Sequence, residues 1–343
     1  MRKLLNTLYL LTEDAYLSLN GEAVDVLFAD GTHKAIPLHT LEGIVSFSYK
    51  GASPALMGKC AENDILLSFY SPHGKYLADT GNCAFGNVYL RRTQYRWADS
   101  PEISLGIAKN MIVGKLHNEK YLILHYLRDH PLQIDGDSIR TASERITEHI
   151  GDVRAAENID SVRGTEGNAA AEYFGVFNEM ILQNADTFCF AGRNRRPPTD
   201  PVNCLLSFSY SLLANDCAAA LRSVGLDPYV GFMHTDRPGR CSLALDLMEE
   251  LRSFLADRFV LSVINNRILD GKDFETRENG AVSLKDDARR RFLSEWQKRK
   301  KEEITHPYLK EKLPWGLVPY VQAQLLARYI RGDLDGYPPF LWK

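Results

Sequence analysis

The spacing of apolar residues changes character near residue 100, and that change limits the chain to a β-first, α-second organisation. Before it, short runs such as Ala15 to Leu19 and Ala23 to Phe28 are separated by Asn20-Gly21, the strongest two-residue hairpin signal. Asp30-Gly31 turns the chain towards a run around Ile36, and Ile44 to Phe47 and Ile65 to Phe69 read as further strands, with Pro72-His73-Gly74 turning after the last. Ser53 followed by Pro54 supplies a cap and a first helical position for a short helix through Cys60. Ala98-Asp99-Ser100-Pro101 reads as a linker, and after it the apolar period lengthens from about 2 to about 3.6, through Ile107, Met111, Leu116 and Leu122. The expected fold class is α+β: a small β-sandwich-like domain over residues 1–98, then a larger all-α domain over 99–343.

Composition narrows the function classes. With 343 residues, 45% apolar and 25% charged, the chain can bury a sizeable core. No run of about 18 apolar residues announces a membrane span, and the leucines of the first nineteen residues are interrupted by Asn6, Thr7, Thr12, Glu13 and Asp14, which reads as a strand and not a signal peptide. Six cysteines are scattered without a CxxC pair, so neither a zinc cluster nor a disulfide framework is expected, and the protein reads as cytoplasmic. The net charge of −3 does not announce a nucleic-acid partner, and any DNA must be held by local basic patches.

Three segments could carry chemistry. In RGTEGNAAAEYF, Glu166 precedes a small-residue helix, and taken alone it reads as a first-turn glutamate complementing the helix dipole. In GFMHTDRPGRCSLALDLMEELR, His234 lies in a Gly/Pro-rich turn, Ser242 is a plausible cap, and Asp246 and Glu249 share one face of the helix that follows. The 44 acidic residues put roughly six such pairs in the chain by chance, so spacing alone is weak. The flanking Leu243, Leu245, Leu247 and Met248 set these acids against a packed wall, where a divalent cation is a natural partner. In GRNRRPPTDPVN, Arg193, Arg195 and Arg196 form a positive patch on a proline-stiffened loop, suited to phosphate oxygens or else paired with Asp186 or Asp200. A fourth segment, RRRFLSEWQKRKK at 289–301, is flanked by acids on both sides and reads as a solvated helix.

Together these segments resemble the CRISPR-associated adaptation integrase family, the larger subunit of the spacer-acquisition complex. They occur in the family's order, and the closing stretch ITHPYLKEKLPWGLVPYVQAQLLARYIRGDLDGYPPFLWK looks like its type I-C branch. The resemblance implies a Mg²⁺ or Mn²⁺ ion held by Glu166, His234 and a third residue. Both Asp246 and Glu249 are available for that place; Glu249 is taken as the ligand and Asp246 as an auxiliary group. It also implies DNA partners (a prespacer duplex and the CRISPR repeat), a small second adaptation protein and a homodimer, with no membrane. The implied reaction is attack of a prespacer 3′-hydroxyl on a phosphodiester at the repeat boundary, with hydrolysis as the alternative outcome at the same site. Arg163, Arg193, Arg195, Arg196 and Arg240 are candidate phosphate contacts by their chemistry. A free-standing endonuclease or branched-DNA resolvase, and a non-catalytic DNA-binding scaffold, are the rival readings.

Overall fold

The computed structural model describes residues 6–12, 14–41, 43–63, 65–70, 76–80, 88–195 and 197–343. The Pro72-His73-Gly74 turn and Arg196 lie outside them. Strands β1 (Thr7–Leu10), β2 (Tyr16–Asn20), β3 (Ala23–Leu27), β4 (His33–Pro37) and β5 (Gly43–Ser46) are followed by α1 (Pro54–Glu62), β6 (Leu66–Tyr70) and β7 (Tyr76–Asp79). β2, β3 and β4 form an antiparallel sheet, turned at Gly21, whose φ of +57° requires a residue without a Cβ penalty. The second sheet runs β1-β5-β6-β7, with β1, β5 and β6 parallel and β7 antiparallel. Helix α1 makes the parallel crossover from β5 to β6, and the Ser53 hydroxyl caps it by accepting from Leu56 N–H at 3.2 Å. Leu17, Val24 and Val26 from one sheet meet Leu10, Ile44 and Leu67 from the other, with Leu56 and Cys60 of α1, in one buried cluster. The sandwich-like expectation holds.

The aromatic-basic stretch after residue 87 forms helix α2 (Val88–Ala98). Its Leu90 joins the larger core, and Gln94, one turn further and fully buried, bonds Asp227 O at 2.8 Å and Val230 O at 2.9 Å. The next helices are α3 (Pro101–Asp129), α4 (Gly136–Ala155), α5 (Ile159–Gly175), α6 (Pro201–Ser223) and α7 (Ser242–Glu249). A π-helical turn, Arg252–Asp257, joins α7 to α8 (Arg258–Asn265). Hairpin β8 (Phe274–Thr276) and β9 (Val282–Leu284), helix α9 (Asp286–Lys301), hairpin β10 (Glu303–Thr305) and β11 (Lys312–Pro314), and helix α10 (Val318–Ile330) complete it. The larger region is therefore predominantly helical but not all-α, because two short hairpins are inserted between its helices.

Helix α6 is long and apolar enough to cross a membrane by length and composition. Here it is a core helix, with Leu205, Leu206, Leu213, Cys217 and Leu221 buried among the other helices. Helix α9 carries the 289–301 basic segment. Phe292, Leu293 and Trp296 are buried on one face, and Arg289 and Arg290 pair with Asp286 and Asp287 one turn back. The solvated reading holds for Arg290 and Lys298, but Arg289 and Lys300 are buried, Lys300 pairing with Asp216 at 3.1 Å, because the helix packs one face on the core.

Candidate metal centre and nucleic-acid cleft

A cavity of about 680 Å³ opens where α3, α5, α6 and α7 meet, and Glu166, His234 and Glu249 all line it. Glu166 comes from α5, which begins at Ile159 with Asn158 as its cap, accepting from Ser161 N–H at 2.8 Å. Glu166 therefore sits two turns inside the helix. The first-turn dipole reading fails, because the helix absorbs the Arg163-Gly164 pair that sequence had placed before it. Helix α7 begins at Ser242 with Cys241 in the cap position and no side-chain cap. Ser242 donates instead to Thr235 O at 3.2 Å, tying the helix start to the loop that carries His234.

Asp246 and Glu249, three residues apart on α7, have different surroundings. Asp246 is shut away from solvent and accepts backbone N–H bonds from Phe232 (2.6 Å), Met233 (3.0 Å) and His234 (2.9 Å), together with His234 Nδ1 at 2.6 Å. A carboxylate offers about four acceptor positions, and these four bonds use them. Gly231 makes the wrap possible, since a Cβ there would lie 2.8 Å from Asp246 Oδ2 and 2.9 Å from Ser242 Cβ. With Nδ1–H donated to Asp246, the lone pair of His234 is left on Nε2, which stands 4.0 Å from Glu249 Oε1.

Glu249 is also buried, with Oε1 3.0 Å from Arg252 and Oε2 3.0 Å from Lys115 Nζ. Burial works to raise its pKa, but Arg252, then Lys115 and His234, hold it down at about 2. Its Oε2 has an ion-pair neighbour and no aligned hydrogen bond. The Lys115 ammonium, on α3, bridges Glu249 and Glu166. As a result, no group of three His, Cys, Asp or Glu side chains stands at coordination spacing among the described residues. The donor set still suits a divalent ion: Glu166 and Glu249 already share a cationic group, and the free Nε2 of His234 stands beside Glu249.

Sequence reasoning missed Lys115, Glu119 and Arg252. Lys115 and Glu119 fall one turn apart on the buried side of α3, in phase with Met111 and Leu122, and charged residues at apolar positions were the available signal. Beneath the cleft, Asp257 accepts from Tyr210 (2.6 Å) and Tyr173 (2.9 Å). Burial lifts its pKa to about 6, and burial lifts Glu119 to about 8 against the pull of Lys115. Unfolded carboxyls titrate near 4, so between about pH 5 and 8 the folded protein holds protons that the unfolded chain has released. Stability of the metal-free protein is accordingly expected to fall as pH rises through that window, by roughly 1 kcal/mol per pH unit for each group still protonated, with Asp257 contributing up to about pH 6 and Glu119 up to about pH 8. Denaturant unfolding in EDTA from pH 5.5 to 8.5 measures this, and Glu119→Gln should flatten the slope.

The arginines separate into two groups. Arg163 bonds Met233 O, Thr235 Oγ1 (3.1 Å) and Asp160 (2.9 Å), and Arg240 bonds Thr235 O and Ser242 Oγ (3.3 Å). Both brace the His234 loop. Arg193 and Arg195 line the cleft itself. Arg193 bonds Asn203 and Ser207 and lies 5.2 Å from the Tyr210 ring centre, whereas Arg195 is exposed and makes no side-chain bond among the described residues. The α5 wall facing them presents Gly167, Ala170, Ala171 and Gly175, which leaves room for a bulky ligand.

A family model described as CRISPR associated protein Cas1 matches residues 8–298. The chain belongs to the Cas1 family. One curated relative, named CRISPR-associated endonuclease Cas1 1, from Chlorobaculum tepidum, is 46% identical over the full length of both chains. Two solved structures share the fold of this Cas1 chain. A casposase bound to integration product superposes with a TM-score of 0.85 at 21% identity, covering 98% of this chain and 94% of that one. A Cas6-RT-Cas1–Cas2 complex gives 0.80 at 23% identity, covering 98% of this chain and 36% of that one.

Proposed function

We propose that the protein is a metal-dependent DNA endonuclease and integrase of CRISPR spacer acquisition, joining prespacer 3′-hydroxyl ends to the repeat by transesterification. The observation that carries the reading is the convergence of Glu166, His234 and Glu249 on one cleft, with His234 oriented by Asp246, in a chain that matches a named Cas1 endonuclease from end to end. Glu166, His234 Nε2 and Glu249 would hold Mg²⁺ or Mn²⁺, and Asp246, its acceptors already spent, orients the imidazole. When bound, the ion polarises the attacking hydroxyl and the phosphoryl oxygen.

The remaining work falls to the chain. Arg195 and Arg193 meet the phosphates flanking the scissile bond, guanidinium forks matching phosphate oxygens. The small α5 face lets the sugar-phosphate backbone approach the carboxylates. Arg163 and Arg240 act through the His234 loop, holding the imidazole in place. Lys115 offsets the repulsion between the two glutamates, and its ammonium would have to give way to a divalent ion held by them.

The partners that fit this reading are prespacer and repeat DNA, a second copy of the chain and a small second adaptation protein. The closing segment supports placement in the type I-C branch. The test is strand transfer of a labelled 3′-hydroxyl duplex into repeat-containing supercoiled plasmid, with Mn²⁺, with EDTA and with His234→Ala, each with and without the small partner protein. Joined products are expected with Mn²⁺ only, and none from the variant. Hydrolysis alone would favour a free-standing endonuclease. DNA binding without reaction would favour a scaffold.

A further inference from the structure

Outside the catalytic cleft, a polar cavity of about 380 Å³ lies between the end of α3 and the faces of α8 and α9. Two guanidinium groups dominate it. Arg258 lies 4.7 Å from the Trp342 ring centre and 5.5 Å from that of Trp315, and Arg299 lies 4.6 Å over the same Trp315. Arg299 has a charge partner in Glu302 and also donates to Ser262 Oγ. The Arg258 guanidinium makes no hydrogen bond or ion pair among the described residues, with Tyr126, Glu302 and Asp129 favouring its charge only through space, although it is only partly open to solvent. Burial and the facing Arg299 both act against its charge and lower its pKa. The acid that shares the cavity, Asp129, is committed to Arg128 at 2.8 Å and His125 at 3.1 Å. The side-chain amides of Gln133 and Asn266 also line the cavity and have no bonds of their own among the described residues.

A partly buried cation without a partner is costly, and the ordinary remedy is an anion. We propose that Arg258 and Arg299, with the amides of Asn266 and Gln133, form a binding site for a compact phosphate group, separate from the metal cleft. Two planar forks and two amide donors around one cavity suit a tetrahedral oxyanion with several acceptor oxygens better than a planar carboxylate, which a single fork would satisfy. Stacking on Trp315 and Trp342 holds the forks in position before binding, so little side-chain freedom is lost. The C-caps of α3 and α8, His130 and Asn266, border the cavity, and the partial negative charge of helix ends opposes an anion. Arg128 offsets Asp129 and Glu302 pairs with Arg299, so the uncommitted charge of Arg258 is what faces the two half-charges. The cavity has the volume of a small-ligand site and not of a duplex groove, so the group is either a free phosphate or diphosphate or the terminal phosphate of a strand.

Isothermal titration of the full chain in EDTA, at constant ionic strength, tests this with orthophosphate, pyrophosphate, and a single-stranded oligonucleotide carrying either a 5′-phosphate or a 5′-hydroxyl. One saturable phosphate site is expected, weakened about tenfold or more in Arg258→Met and unchanged in Arg140→Ala, an exposed arginine on α4 away from both cavities. Tighter binding of the 5′-phosphate strand than of its hydroxyl twin would identify a strand end as the source; tighter binding of pyrophosphate would identify a free anion. Because Arg258 stacks on Trp342, a misfolded Arg258→Met would leave the decision to the double variant Gln133→Ala, Asn266→Ala, both exposed residues, for which several-fold weaker binding is expected. The proposal is overturned if no saturable binding appears, if the folded variants bind as the parent does, or if Arg195→Ala abolishes binding, since the anion would then occupy the catalytic cleft.

Discussion

Glu249→Gln is expected to lower metal-dependent strand transfer by on the order of 10³-fold while changing DNA binding only a few-fold. The amide keeps the shape of the side chain and an oxygen for Arg252 at 3.0 Å, but it removes the negative charge that a divalent ion needs. Losing several kcal/mol of charge stabilisation in the transition state corresponds to about that factor. Glu166→Gln should behave alike, because both carboxylates now share the Lys115 ammonium and would share the ion that displaces it. Single-turnover strand transfer alongside filter binding measures both quantities, and circular dichroism checks the fold. Full activity in Glu249→Gln would remove it from the ligand set and return Asp246 to consideration.

Asp246→Asn should act chiefly on stability, costing about 3–5 kcal/mol. Four donors converge on the carboxylate, three of them backbone N–H groups from consecutive residues. An amide presents one oxygen, and its nitrogen would face a donor with a donor, leaving buried N–H groups unsatisfied at about 1–3 kcal/mol each. The 232–234 loop would lose its anchor and His234 its orientation, so activity should fall as well. Urea unfolding in EDTA separates this effect from any role in holding metal. A variant within 1 kcal/mol of the parent would mean that Arg163 and Arg240 hold the loop unaided.

The two substitutions separate roles that residue spacing could not. On the sequence, Asp246 and Glu249 are equivalent acids on one helix face, and the ligand choice between them rested on a family resemblance. In the structure, one is saturated by a loop folded over it and the other looks into a cleft beside two cations. The arginines show the same limit. Five looked alike by chemistry, but two of them are spent on bracing Thr235 and one, Arg195, lies unengaged in the cleft. Arg196 lies outside the described residues.

What the sequence alone determined is local. Alternating runs and the Asn20-Gly21 turn specify a hairpin because the turn needs a residue tolerant of positive φ and the strands need period-two burial. Ser53-Pro54 starts a helix because a side-chain oxygen and a missing N–H suit a helix beginning wherever they occur, and Ser100-Pro101, which reads as a linker in the sequence, starts one for the same reason. The tertiary structure decided what depends on distance through space. It turned the 89–97 stretch into a helix of the larger core, and inserted hairpins among helices expected to stand alone. It also brought Lys115 to Glu166, 51 residues away, and Arg163 to the His234 loop, about 70 residues away. A buried charge is stable only beside its partner. Partners so far apart are set by helix packing, which no local period encodes.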